Sequence, residues 1–207
     1  MHFKTLFTAA VLTIGLSSAP SFAATLNVDG DQLVGASGVD VGGTKYDVVF
    51  KDGTCIAIFD GCDRPYDFTF TSSAEAVAAS QALLEQVLVG SFDSDPGLTF
   101  GIGSAAPGGF IITPYYAIAD DPLLPSTRDL FLFAAAFNGL FDAVDEAVTF
   151  FYPPVPSRDT DLSGSLWGGE VYADWTVAAV PLPAGGMLLL SALGGIAALR
   201  RRKKSTV

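Results

Sequence analysis

Asp159, Asp161 and Glu170 stand at the spacing of carboxylates that share one hard cation. The stretch Asp159-Thr160-Asp161-Leu162-Ser163-Gly164-Ser165-Leu166-Trp167-Gly168-Gly169-Glu170 follows the order D-x-D-x-S-G-x5-E. Carboxylates fall at loop positions 1 and 3, a hydroxyl at 5, a turning glycine at 6 and a glutamate at 12. Calcium takes about six to eight oxygen ligands in such an arrangement, and Ser165 adds a further hydroxyl. The pattern departs from a regular calcium loop in two ways. Ser163 stands where Asp or Asn is usual, and Pro153-Pro154-Val155-Pro156 precedes the loop where a helix is expected. The competing reading is a plain Asp/Ser/Gly turn. Calcium is the one cofactor the sequence points to, with Asp159, Asp161, Ser163, Ser165 and Glu170 as its ligands.

Cys55 and Cys62 are the other chemically capable pair, and they are the only cysteines. In an oxidising compartment an even pair implies a disulfide. The loop it closes is short, and chain entropy assigns such a bond about 2.5 kcal/mol. Free thiols or a two-cysteine metal site are the alternatives. The only histidine is His2, which excludes Ser-His-Asp and Cys-His catalysis from the rest of the chain. Histidine-based zinc and copper sites go with it. A mechanism built on two carboxylates, as in glycosidases, stays open, but nothing singles out a pair. We expect no enzyme.

Charge divides sharply along the chain. All 22 acids lie between residues 24 and 179, with five bases there: Lys45, Lys51, Arg64, Arg128 and Arg158. That region therefore sits near −17, against −11 for the whole chain. Nucleic acid is excluded as a partner, because phosphate binding needs clustered Lys and Arg. Such a surface suits solubility outside the cell or cation binding.

The elements that must position these groups read mostly as strands. Leu26 and Val28 alternate with polar residues before a turn at Asp29-Gly30-Asp31. Val39 and Val41, then Tyr46, Val48 and Phe50, flank Gly42-Gly43, a hairpin signal. Short strands are expected over Cys55–Phe59, Asp67–Thr71, Leu98–Ile102 and Val148–Tyr152. Phe110–Ile118 is a strand interrupted by Pro114, which implies an edge or a bulge. Leu130–Phe133 reads as a buried strand, with a helix through Phe137 as the rival. Val171, Ala173 and Trp175 share one side of a strand over Glu170–Val177. One helix is clear: Ser72 and Glu75 form a capping box, Val77, Leu84, Val87 and Leu88 make its apolar stripe, and Gly90 ends it. The fold class is α+β, a largely antiparallel sheet with one main helix over about 72–89. A β-sandwich carrying an inserted helix is the alternative.

The two ends of the chain carry addresses. Residues 1–23 read as a secretory signal peptide, with Lys4 in the charged region, Leu6–Leu16 as the apolar core and Ser21-Phe22-Ala23 before the cleavage point. Residues 24–179 then form one extracytoplasmic domain. At the other end Val180-Pro181-Leu182-Pro183-Ala184 leads into an uncharged run to Leu199, closed by Arg200, Arg201, Arg202, Lys203 and Lys204. As a transmembrane helix, Ala184–Leu199 would span about 24 Å at 1.5 Å per residue, short of a hydrocarbon core of about 30 Å. Long basic side chains can reach across the difference. The cationic cluster marks the cytoplasmic side and places the body on the other.

This tail, residues 180–204, resembles the C-terminal sorting signals of the exosortase class, in the VPLPA variant of the PEP-CTERM group. The resemblance rests on the intact pentapeptide, the small-residue apolar span and the terminal basic cluster. It implies transient recognition by an exosortase-like membrane transpeptidase with a cysteine nucleophile, which cuts near the motif. It implies export through the inner membrane, a membrane-anchored precursor, and delivery to the cell surface or extracellular matrix of a Gram-negative-type bacterium. Exopolysaccharide or another matrix component is the implied lasting partner. For the body it implies a structural or interaction role and no activity. Without the resemblance, the tail reads as a plain membrane anchor, and the protein as an anchored ligand- or calcium-binding module.

Overall fold

The computed structural model describes residues 23–103, 108–117, 130–140, 145–149, 157–162 and 169–179. Seven strands form one sheet: β1 (Thr25–Asp29), β2 (Gln32–Val41), β3 (Thr44–Lys51), β4 (Gly108–Ala117), β5 (Phe131–Gly139), β6 (Glu146–Thr149) and β7 (Glu170–Val177). Their order across the sheet is β1-β2-β3-β7-β4-β5-β6. Neighbours are antiparallel except β7 and β4, which run parallel over Phe110–Ile112 and Glu170–Tyr172. The sheet is therefore mixed, and a two-sheet sandwich is not what the described residues form.

The first three strands follow the turn chemistry of the sequence. Gly42 and Gly43 both take positive φ, 60° and 89°, as a two-residue hairpin turn requires. Asp40 closes that turn: its carboxylate accepts from the Gly43 N–H at 2.7 Å and pairs with Lys45 at 3.3 Å. The Gly43 bond first, and Lys45 second, hold the Asp40 carboxyl below its usual range. Pro114 marks a bulge, not an edge. The β4–β5 register shifts between Pro114 and Tyr116, and β4 lies between β7 and β5.

Helix α2 (Ser73–Gln86) is capped as its sequence predicts. The Ser72 hydroxyl accepts from the Glu75 N–H at 3.3 Å and donates to the Glu75 carboxylate at 2.9 Å. Its buried side is Ala76, Ala79, Ser80, Ala82 and Leu83, with Val87 and Leu88 just beyond. Of the expected stripe Val87 and Leu88 are buried, but Val77 and Leu84 are only half-buried at the edge of the same core, so the helix turns its smaller side inward. The reason is closeness. Ala76 and Ala79 share one cluster with Ala134 and Ala136 of β5, and small residues on both elements let the backbone approach. The far end of α2 is tied to the hairpin by Gln86. Its amide accepts from the Asp40 N–H at 2.9 Å and donates to the Asp40 carbonyl at 2.8 Å.

Three expected strands take other forms. Cys55–Ile58 is a helical turn, α1, capped by Thr54. Asp67–Thr71 holds the end of a 3-10 turn over Pro65–Asp67, followed by an extended but unpaired stretch. Leu98–Ile102 overlaps a 3-10 turn at Pro96–Leu98 and pairs with the sheet only at the isolated Thr99–Leu33 bridge, while Ile102 packs into the core on the α2 side. A short helix, α3 (Ser91–Ser94), precedes that turn. The strand expected over Val148–Tyr152 is seen as β6, and residues 150–152 lie outside the described residues.

The sheet buries both of its faces at the centre. On the α2 side, Val48, Phe50, Ile111, Tyr115, Val171, Ala173 and Trp175 join Leu83, Val87 and Leu88. On the other, Ile112, Phe131, Phe133, Ala135 and Tyr172 pack under Cys55, Phe59, Cys62, Phe68 and Leu162. The chain passes between the two sides at Thr69, since Phe68 belongs to one cluster and Phe70 to the other. There the Thr69 hydroxyl donates to the Trp175 carbonyl, beyond the point where the β4–β7 pairing ends. On the helix side Trp175 Nε1 donates to the Thr113 hydroxyl at 3.2 Å, holding the two strands together past their ladder.

The alanine contact gives a direct test. Ala79→Leu should lower stability by about 1–3 kcal/mol through overpacking. Ala78→Leu, one residue away on the exposed side, should change it by less than about 0.5 kcal/mol. Urea midpoints of the two variants check this.

Candidate functional site

Cys55 and Cys62 are joined in a disulfide, with Cα atoms 5.7 Å apart, and both are fully buried. A strand over all of Cys55–Phe59 would carry Phe59 about 13 Å from Cys55 at 3.3 Å per residue, leaving only three residues to bring Cys62 back. The helical turn keeps it compact, and a reversal follows in which Asp60, Gly61 and Cys62 all take positive φ, 48°, 104° and 53°. Glycine suits the middle position; Asp60 and Cys62 are held there by the closed loop around them. The outcome is a small cap whose inner side is Phe59. Its ring meets Phe68 and Tyr172 edge-on, both at 5.5 Å between centroids.

The segment 157–162 lies along this cap. The Ile56 N–H donates to the Arg158 carbonyl at 3.3 Å, and the Leu162 N–H to the Gly53 carbonyl at 3.5 Å. Thr54 and Asp161 form an antiparallel bridge. Arg158 reaches the Cys62 carbonyl through Nη1 at 3.5 Å. The Thr160 N–H donates to the Ser157 carbonyl at 2.9 Å, which turns the chain. Leu162 is then buried beside Tyr172.

The structure places the expected cation ligands as follows. Asp159 and Asp161 are exposed on the segment just described, and Glu170 opens β7 half-buried. Ser163 and Ser165 lie outside the described residues. Among the described residues no three His, Cys, Asp or Glu side chains gather closely enough to hold a metal, so Asp159, Asp161 and Glu170 do not form one such group. The sorting-motif residues Val180, Pro181, Leu182, Pro183 and Ala184 lie outside the described residues. So do Arg200, Arg201, Arg202, Lys203 and Lys204. No described helix is long and apolar enough to cross a membrane, and the span expected at 184–199 is not among them.

Tyr172 is the residue that sequence reasoning missed. It stands two positions after Glu170 on the same face of β7, and its accessible surface is 0%. Its hydroxyl is buried with no hydrogen-bond partner. Burial first, then the carboxylates of Glu170 and Asp161, push its ionisation far above the usual tyrosine range, so it stays a neutral phenol. Burial likewise raises the Glu170 carboxyl. The nearest strand cation, Lys51, pairs with Asp174 at 2.6 Å and is engaged there. Alternation of Val171, Ala173 and Trp175 marks Tyr172 as pointing the other way. Only the cap over the second face makes that direction an interior one.

No family model, no curated protein and no solved structure matches this chain.

Replacing both cysteines by alanine should cost about 2.5 kcal/mol, the chain-entropy value for so short a loop. For a body of this size that lowers Tm by roughly 5–10 °C. Calorimetry on the double variant checks the value, and intact mass of the wild type without reductant should be two hydrogens below the reduced form.

Proposed function

We propose that this chain is an exported cell-surface or extracellular-matrix protein, structural or interacting in role, sorted by its C-terminal tail through an exosortase-like transpeptidase. The observation that carries the reading is the tail itself, with motif, apolar span and basic cluster in order over residues 180–204. Two features of the body support it. The buried disulfide suits an oxidising compartment. The folded region also fits between the two addresses. β1 starts at Thr25, one residue past the expected cleavage point, and β7 ends at Val177, three residues before the motif. The body serves as a compact, acidic head, and its lasting neighbour is the surface matrix.

The motif supplies the test. Pro181→Ala together with Pro183→Ala should leave the tail uncut and the protein membrane-bound at its full mature length. Intact mass of the protein recovered from cell fractions reads this. Processing unchanged in that double variant would reduce the tail to a plain anchor.

A further inference from the structure

Three Asp-Gly steps occur in the body: Asp29-Gly30, Asp52-Gly53 and Asp60-Gly61. At such a step the main-chain nitrogen of the glycine can attack the side chain of the aspartate before it, because glycine has no Cβ to obstruct the approach. Position decides how readily. Asp29 is the last ladder residue of β1, paired with Gln32. The Gly61 N–H is taken by the Ile56 carbonyl at 3.2 Å, inside the disulfide loop. Asp52 differs from both. It is exposed, one residue past the end of β3, in neither strand nor helix. Its Oδ1 accepts from the Gly53 N–H at 2.8 Å. Cγ is one bond beyond that oxygen, so nitrogen and carbon stand close to the roughly 3–3.5 Å of a near-attack conformer. Even a Cβ on Gly53 would meet nothing closer than Ile58 Cδ1 at 3.9 Å, so packing leaves the step room to rearrange.

We propose that Asp52-Gly53 is a self-modification site, where Asp52 converts to isoaspartate and loosens the disulfide cap. The Gly53 nitrogen attacks Cγ of the neutral Asp52 carboxyl. The N–Cγ bond forms, the Cγ–O bond to the hydroxyl breaks, and that hydroxyl leaves as water with the amide proton. The product is a five-membered succinimide. Water then opens it at one of its two carbonyls. Opening at the side-chain carbonyl restores aspartate. Opening at the main-chain carbonyl leaves the chain running through Cβ and Cγ, one atom longer, with the former main-chain carbonyl as a free carboxylate. One water is lost and one regained, and no other reactant is needed. The extra atom enters directly ahead of Thr54, whose hydroxyl caps α1 at the Ala57 N–H and whose backbone bridges Asp161. Lengthening the chain there shifts the junction from which the cap is hung. The site does not depend on how the tail is sorted.

The test uses the mature chain with its disulfide intact, held for weeks at neutral pH in water enriched in heavy oxygen. Peptide mapping by mass spectrometry should find isoaspartate at Asp52, carrying one heavy oxygen from ring opening, formed severalfold faster than at Asp29 or Asp60. In the chain unfolded in urea with the disulfide reduced, the three steps should react at similar rates, since glycine follows each aspartate. Asp52→Glu keeps the charge but would need a six-membered ring, so it should show no isomer at this position. The aged wild type should lose a few degrees of Tm, and aged Asp52→Glu should lose none. Asp52→Asn, which releases ammonia in place of water, should convert faster than the wild type. No labelled isoaspartate at Asp52 in the folded chain would overturn the site. So would the same ratio among the three steps in the folded and unfolded chains, which would mean that the fold does not favour Asp52. Equal loss of Tm in aged wild type and aged Asp52→Glu would overturn the effect on the cap.

Discussion

The centre of this sheet has no solvent face. Along β4 and β5 almost every residue is buried, and β7 alternates between two interiors, with Val171, Ala173 and Trp175 on one and Tyr172 on the other. Such a sheet needs a cover on each side. One stretch of chain supplies both. It leaves β3, caps the second face with α1 and the disulfide loop, crosses at Thr69, and lays α2 on the first. The two covers differ in what holds them. Helix α2 has fourteen residues, a capping box and a buried alanine–leucine side. The cap is built on a four-residue helix, far below the length at which a helix stands alone. The disulfide and the aromatic contacts of Phe59 therefore carry the weight that regular structure carries on the other side.

This division explains what could be read from the sequence. Hairpins, the long helix and its caps, and the strand over Glu170–Val177 depend on local chemistry: paired glycines, a Ser-x-x-Glu box, alternation. Those were legible. Cys55–Phe59 was not, because an apolar run of five fits a strand or a helical turn equally well. What decides is the covalent closure to Cys62, a constraint outside the run. Phe68 and Phe70 mislead in a similar way. Two residues apart they should face one side of a strand, yet they end in different clusters because the chain passes through the sheet between them. The helix stripe was legible at Val87 and Leu88 and less so at Val77 and Leu84, for a third reason. Large residues at Val77 and Leu84 mark hydrophobicity, but close packing on Ala134 and Ala136 selects the smaller side.

The site follows the same rule. Asp161 and Glu170 stood out by spacing, as members of a single local loop. Their relation to each other is set by tertiary contacts instead: Asp161 by its bridge to Thr54, Glu170 by its place on β7. Tyr172 carries no signal of its own in a sequence where an aromatic residue on a strand is ordinary. Its meaning arises only when the cap turns an outer face into an inner one. Asp159, two residues from Asp161, was equally visible, and both lie exposed on the segment beside the cap.

The strand directions give the molecule two unlike ends. β1 begins, and β7 finishes, at the end that carries the Gly42-Gly43 turn; the Ala178 N–H donates to the Lys45 carbonyl there at 2.9 Å. The chain therefore enters β1 and leaves β7 on the same side of the sheet. Glu170 lies at the other, about 23 Å away along β7 at 3.3 Å per residue. Asp29, Asp31 and Asp52 share that far end, and the register row from Glu170 through Phe110 and Phe137 reaches Glu146. If the tail holds the protein at a membrane, the acidic end faces outward. At physiological salt, charges within about 8 Å of one another still repel, so the acids gathered at this end favour its exposure to solvent.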